Sequence, residues 1–128
     1  MTEQPPGILI LVDDDVAVLS ALKFAFEVEG FDVRAYANGE SLLSAVDIPD
    51  AGCLVLDYKL PGLNGLQLLR RLRRRGVTLP AVLITTPEPI VVAQAASANV
   101  PIVEKPLLTS ALLDTVRGLL EAQSSERS

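Results

Sequence analysis

The strongest constraint on this chain is a short run of residues, apolar at every position, that ends abruptly on a carboxylate. It occurs twice. Ile8-Leu9-Ile10-Leu11-Val12 stops at Asp13-Asp14-Asp15, and Cys53-Leu54-Val55-Leu56 stops at Asp57, followed by Tyr58-Lys59-Leu60-Pro61-Gly62. A run this short, bounded by turn residues, reads as a strand. Without polar alternation it must be covered on both faces, as strands of a parallel sheet are. Open α/β sheets carry their chemistry outside the carboxyl ends of their strands. An Asp at a strand exit also has an ordinary role, capping the next turn or helix. That role accounts for one or two of the acids after Val12, but not for three.

Between the apolar runs the periodicity is helical. Val16, Leu19, Leu22 and Phe26 recur at helix spacing up to Glu29-Gly30. Phe31 to Tyr36 alternates as a half-exposed strand does. A helix is predicted over Glu40 to Val46. Another runs from Gly65 to Arg75, capped by Asn64, with Leu66, Leu69 and Leu72 inward. Leu79 to Ile84 is the fourth strand, ending at Thr85-Thr86-Pro87-Glu88-Pro89. The next helix covers Ile90 to Ala98, with Pro89 suited to its first turn. Val100 to Val103 is a fifth strand, and Glu104-Lys105-Pro106 follows. The last helix starts at Thr109 or Ser110 and reaches about Glu121.

The order is strand then helix, five times. Right-handed crossovers turn it into a doubly wound α/β fold, a five-stranded parallel sheet with helices on both faces. In the flavodoxin-like strand order 2-1-3-4-5, strands 1 and 3 are neighbours at the switch point. Asp13, Asp14 and Asp57 then meet, and Thr85 and Lys105 rim the same crevice. Residues 1–6 form a polar lead, 7–121 one domain, and 122–128 a disordered tail or the start of a linker.

Composition narrows the chemistry. The 128 residues contain no histidine and one cysteine, Cys53. Imidazole metal sites, His-based triads and thiolate zinc sites are therefore excluded. The formal charge of -5 opposes generic binding to phosphate backbones, so no direct nucleic-acid contact is expected. No apolar run reaches membrane-spanning length and no basic leader precedes the first one, so a cytoplasmic location is expected. Arg70, Arg71, Arg73, Arg74 and Arg75 make the end of the third helix basic. Dipole complementation and solubility are the plain explanation, with docking of a nucleic acid or protein as the alternative. The helix over 90–98 is interrupted only by Gln94 and Ser97. It is either buried on more than one side or presents a small apolar contact face.

Three carboxylates brought together repel by roughly 4 kcal/mol per pair at ~4 Å and an effective dielectric near 20. A hard divalent cation removes that cost. Mg²⁺ takes oxygen ligands and is commonly shared between one or two carboxylates and a phosphoryl group. A carboxylate beside it can act as a nucleophile and form an aspartyl-phosphate. Lys105 can stabilise charge on the transferring group, and Thr85 can donate a hydrogen bond to it. An exposed lysine and a β-branched strand residue are the plain readings of those two positions.

The combination of Val12-Asp13-Asp14-Asp15, Leu56-Asp57 through Pro61-Gly62, Ile84-Thr85 and Glu104-Lys105-Pro106 resembles the receiver domain of two-component response regulators, over about residues 7 to 121. It is closest in character to the nitrogen-fixation regulators. The resemblance implies that Asp57 is the phosphoacceptor and that a histidine kinase or phosphotransfer protein is the donor. It implies Mg²⁺ held by Asp13, Asp14, Asp57 and the Lys59 carbonyl, and phosphoryl contacts from Thr85 and Lys105. It further implies self-catalysed phosphotransfer and dephosphorylation, and output through the helix 4-strand 5-helix 5 face, with a homodimer through that face as one form. Three positions depart from the family pattern. Ile102 stands where an aromatic or histidine is usual, Thr86 where Gly or Ala is usual, and the span from Thr85 to Lys105 is shortened and carries Pro87 and Pro89. These departures keep a second reading open, a pseudo-receiver that binds proteins without being phosphorylated. A Mg²⁺-dependent phosphohydrolase is a third, disfavoured by the lack of room for a substrate cap.

Overall fold

A computed structural model describes residues 7–45, 47–105 and 109–127. The elements, in chain order, are β1 (Ile8–Val12), α1 (Val16–Val28), β2 (Asp32–Tyr36), α2 (Gly39–Leu43), β3 (Cys53–Asp57), α3 (Gly65–Arg74), β4 (Ala81–Thr85), α4 (Pro89–Ser97), β5 (Ile102–Glu104) and α5 (Thr109–Arg127). All pairings are parallel, and the sheet order is β2-β1-β3-β4-β5, as expected.

The uniform apolar runs are explained by what covers them. Side chains alternate across a strand, so each run feeds two cores. Ile10, Leu54, Leu56 and Leu83 pack with Leu66, Leu69 and Leu72 of α3 and with Val91 and Ala95 of α4. Leu9, Leu11, Val55 and Ile84 pack on the other face with Leu22 and Phe26 of α1 and Leu112 and Val116 of α5. The Phe26 and Phe31 rings meet edge to face, 5.4 Å apart at 82°, and tie the end of α1 to the start of β2. Cys53 is fully buried, and burial pushes its thiol up to about 12, so it is an inert core group.

Several boundaries move for identifiable reasons. β4 begins at Ala81 rather than Leu79, because the Leu79 carbonyl accepts from the Arg73 guanidinium at 2.6 Å and Pro80 has no donor. It ends at Thr85, whose carbonyl accepts from the Lys105 N–H at 3.1 Å. β5 starts at Ile102 rather than Val100. The Val100 N–H turns back to the Ala95 carbonyl at the end of α4. α2 ends at Leu43, short of the expected Val46, which lies outside the described residues. α5 runs past the expected end near Glu121 to Arg127, so residues 122–127 are helical rather than a disordered tail. Ala122, Gln123, Glu126 and Arg127 are good helix formers, and Gln123 Oε1 accepts from the Gly52 N–H at 3.1 Å, which holds the helix to the sheet. α4 resolves its two alternatives: only Val91 and Ala95 are buried, and Ile90 and Val92 face outward. No helix among the described residues is long and apolar enough to cross a membrane.

Two glycines give opposite expectations. Gly52 has φ +144, and a Cβ there would lie 2.6 Å from the Ile8 carbonyl oxygen. Gly118 lies in α5 with nothing within 4 Å of such an atom. Urea denaturation is expected to show G52A less stable than the parent by more than about 1 kcal/mol, and G118A more stable by about 0.5–1 kcal/mol.

Candidate functional site

The site lies at the carboxyl edge of the sheet, where β1 and β3 end side by side. The register pairs Val12 with Leu56, so Asp13 and Asp57 leave the sheet together. Both are buried, each 2% exposed, whereas Asp14 is exposed at the rim. One carboxylate oxygen from each of Asp13, Asp14 and Asp57 lies within 4.8 Å of the others. The third acid of the run has another role. Asp15 is the N-cap of α1 and accepts from the N–H groups of Ala17 and Val18 at 3.0 and 3.2 Å. Its own N–H donates to Asp13 Oδ1 at 2.9 Å and orients that carboxylate.

Lys105 and Thr85 reach the same place by different routes. The Lys105 Nζ lies 3.2 Å from Asp57 Oδ1, an ion pair whose angles do not make a hydrogen bond. Thr85 is buried at the end of β4, and its hydroxyl donates to the Thr86 carbonyl at 3.1 Å. Lys59 is two residues beyond Asp57, but its side chain turns outward, with Nζ 3.9 Å from a Glu88 carboxylate oxygen. Any role at the acids therefore falls to its carbonyl. Thr86 is exposed, and Ile102 is half-buried against the core.

Two features were not anticipated. Gly65 begins α3 hard against the site: a Cβ there would lie 2.5 Å from the Asp57 carbonyl oxygen and 2.8 Å from Leu83 Cδ1. Its N–H donates to the Tyr58 carbonyl at 2.8 Å. Asn64-Gly65 signalled a helix start, and Asn64 does form a capping box with Gln67, but the close approach is a tertiary property. The Glu88 partner of Lys59 was likewise hidden, because the two residues belong to different loops.

The electrostatics are those of a site prepared for a cation. Asp13 Oδ2 and Asp57 Oδ1 are buried without a hydrogen-bond partner. Burial pushes the Asp13 carboxyl up from 3.8 to about 6, and the charge of Asp57 adds to the effect; the Asp15 N–H and Lys105 oppose it. Orphaned buried oxygens are costly, and a hard cation satisfies them with an all-oxygen donor set. The residues present fit such an ion.

Comparison with known proteins gives the family and the fold. Residues 9–117 match the family model described as response regulator receiver domain. The transcriptional regulatory protein TrcR of Mycobacterium tuberculosis is 32% identical over 118 residues, covering 91% of this chain and 46% of the relative. The transcriptional regulatory protein FixJ of Azorhizobium caulinodans is 32% identical over 112 residues, covering 86% of this chain and 53% of the relative. Among solved structures, the response regulator StyR superposes with a TM-score of 0.84 at 29% identity, over 94% of this chain and 62% of that one. A CheY-like receiver domain from Methanospirillum hungatei superposes with a TM-score of 0.85 at 24% identity, over 94% and 98%. The chain belongs to the response regulator receiver family of two-component systems. It spans about half the length of these two curated relatives.

The buried Asp13 gives a test with a defined sign. A carboxyl raised from 3.8 to about 6 binds more protons folded than unfolded across that window. Its contribution to stability is therefore fully present below the unfolded value and is lost as pH rises through the folded one. Without divalent cation, D13N is expected to be more stable than the parent above pH 6, by about 3 kcal/mol. The gap should close as pH falls toward 3.8. Thermal melts of both proteins across that range measure it, and a gap independent of pH would contradict the assignment. Separately, G65A is expected to lose about 1–3 kcal/mol in urea titrations, because Asp57 or Leu83 must give way.

Proposed function

We propose that residues 7–121 form a phosphoacceptor domain, with Asp57 taking a phosphoryl group from the phosphohistidine of a histidine kinase or phosphotransfer protein. The observation that carries this reading is the cluster of Asp13, Asp14 and Asp57, in which the buried Asp13 Oδ2 and Asp57 Oδ1 have no hydrogen-bond partner and the Lys105 ammonium lies 3.2 Å from Asp57 Oδ1. Mg²⁺ would be held by Asp13, Asp14, Asp57 and the Lys59 carbonyl, and would neutralise phosphoryl charge that these acids otherwise repel. An Asp57 oxygen forms a bond to phosphorus as the bond from phosphorus to the imidazole nitrogen breaks, and the electron pair returns to that nitrogen. Lys105 is already within reach and stabilises the charge on the phosphoryl oxygens. Thr85 must first release the Thr86 carbonyl and rotate its hydroxyl inward. Attack of water on the phosphorus breaks its bond to the Asp57 oxygen, releasing inorganic phosphate and returning the free carboxylate.

The output is assigned to the α4-β5-α5 face, including formation of a homodimer. Ile90 and Val92 are exposed there, 65% and 44%. Ile102 has no ring or hydroxyl to exchange between positions, so Thr85 and Lys105 carry the change to this face without the usual aromatic partner. The reading carries with it a cytoplasmic location.

Incubation with Mg²⁺ and either a small phosphodonor or a cognate kinase, followed by intact mass, tests the proposal. One phosphoryl group, stable in acid and labile in alkali, is expected on the parent and absent from D57N. An adduct that persists in D57N overturns the choice of nucleophile. No adduct from either donor favours a receiver-fold module that binds proteins without being phosphorylated. Rapid turnover of many phosphomonoesters favours a hydrolase.

A further inference from the structure

The charge of this acidic chain is distributed very unevenly. From Tyr58 through Pro87 it holds Lys59 and five arginines and not one Asp or Glu. The five arginines fall within residues 70–75. Outside that stretch the remaining 6 cations (11−5) face 16 acids. The helix dipole rewards cations in the last turn of α3, where Arg71, Arg73 and Arg74 lie, but Arg70 lies earlier. Arg70 with Arg74, and Arg71 with Arg75, are like charges at i,i+4, which destabilise a helix. Complementing the dipole therefore accounts for part of the cluster but not for Arg70 or for the like-charge pairs.

The structure sorts these arginines into two kinds. Arg73 is structural: its guanidinium donates to the carbonyls of Val77 and Leu79. Arg75 donates to the Leu43 carbonyl. Arg70, Arg71 and Arg74 are exposed and make no hydrogen bond or ion pair among the described residues. Each borders a recess with an apolar floor. A groove of about 210 Å³ lies between Leu66, Leu69, Ala98 and the guanidinium groups of Arg70 and Arg74. A shallower one of about 420 Å³ lies between Leu43, Arg71 and Arg74.

We propose that this end of α3 is a docking surface for an acidic protein segment, its carboxylates bound by Arg70, Arg71 and Arg74 and an apolar side chain seated on Leu66 and Leu69. Three observations favour that occupant over a nucleic acid. The grooves have apolar floors, which a phosphate backbone does not use. The lining residues include no aromatic side chain on which a base can stack. The acid-rich remainder of the domain repels an extended polyanion, whereas a short segment senses mainly the charges within a Debye length. Guanidinium groups suit carboxylates through paired parallel hydrogen bonds. The surface is distinct from the Asp57 pocket, so the proposal stands or falls independently of phosphorylation.

The test is fluorescence anisotropy with a labelled peptide that alternates glutamates with leucines, using the domain as it stands. Saturable binding is expected, weakened by added salt and reduced at least tenfold in R70E/R71E/R74E. Those three side chains hold nothing in place, so circular dichroism should match the parent and the melting curve should fall only slightly, by the loss of favourable charge at the end of the helix. L69A removes the groove floor and also truncates a core residue, so it is assayed at a temperature where its melting curve shows it folded; there it should weaken binding of the Glu/Leu peptide but not of a Glu/Ser peptide. Absence of saturable binding, equal affinity in the arginine variant, equal losses of the two peptides in L69A, or tighter binding of a short DNA duplex would each overturn the proposal.

Discussion

The side-by-side burial of Asp13 and Asp57 is the constraint around which the rest of this domain is arranged. Two carboxylates at neighbouring strand ends, each 2% exposed, oppose folding unless something offsets them. The chain supplies partial answers: the Asp15 N–H on one oxygen of Asp13 and the Lys105 ammonium beside one oxygen of Asp57. Asp13 Oδ2 is still left without a hydrogen-bond partner, and Asp57 Oδ1 has the ion pair but no hydrogen bond. The interior around them is ordinary aliphatic packing, which supports the site without relieving it. Stability conceded there is the usual mark of a place kept ready for a ligand.

Much of this was legible in the residue pattern. Runs apolar at every position implied a sheet covered on both faces, and the strand-helix alternation led to the 2-1-3-4-5 order. Once strands 1 and 3 were neighbours, the meeting of Asp13, Asp14 and Asp57 followed from their positions at strand exits. The pattern also held that capping could not account for three successive acids. Asp15 proved to be the cap, and Asp13 and Asp14 stayed with the site.

What the pattern hid depends on contacts distant in sequence. Nothing near Arg73 shows that its guanidinium reaches the Leu79 carbonyl and delays β4 until Ala81. The polar composition after Glu121 suggested an ended helix, yet the Gly52 N–H gives Gln123 a reason to stay ordered. Gly65 read only as the start of a helix, because the crowding that demands a glycine there comes from Asp57 and Leu83. The arginines of α3 looked alike and divide only when their partners are seen.

The contact between Gly52 and Gln123 has a mechanical consequence. It joins the last turns of α5 to the entry of β3, the strand whose exit carries Asp57. Lys105 draws on that exit, and Gly65 presses against its last carbonyl. β3 is thus clamped at both ends and flanked by β1 and β4 throughout. Such a strand behaves as a fixed rod. A charge arriving at its tip cannot be accommodated by sliding the strand, so the displacement is diverted into the surrounding loops. One of these is the Thr86–Pro89 segment, which the solvent-exposed Lys59–Glu88 pair ties only weakly to the loop after β3.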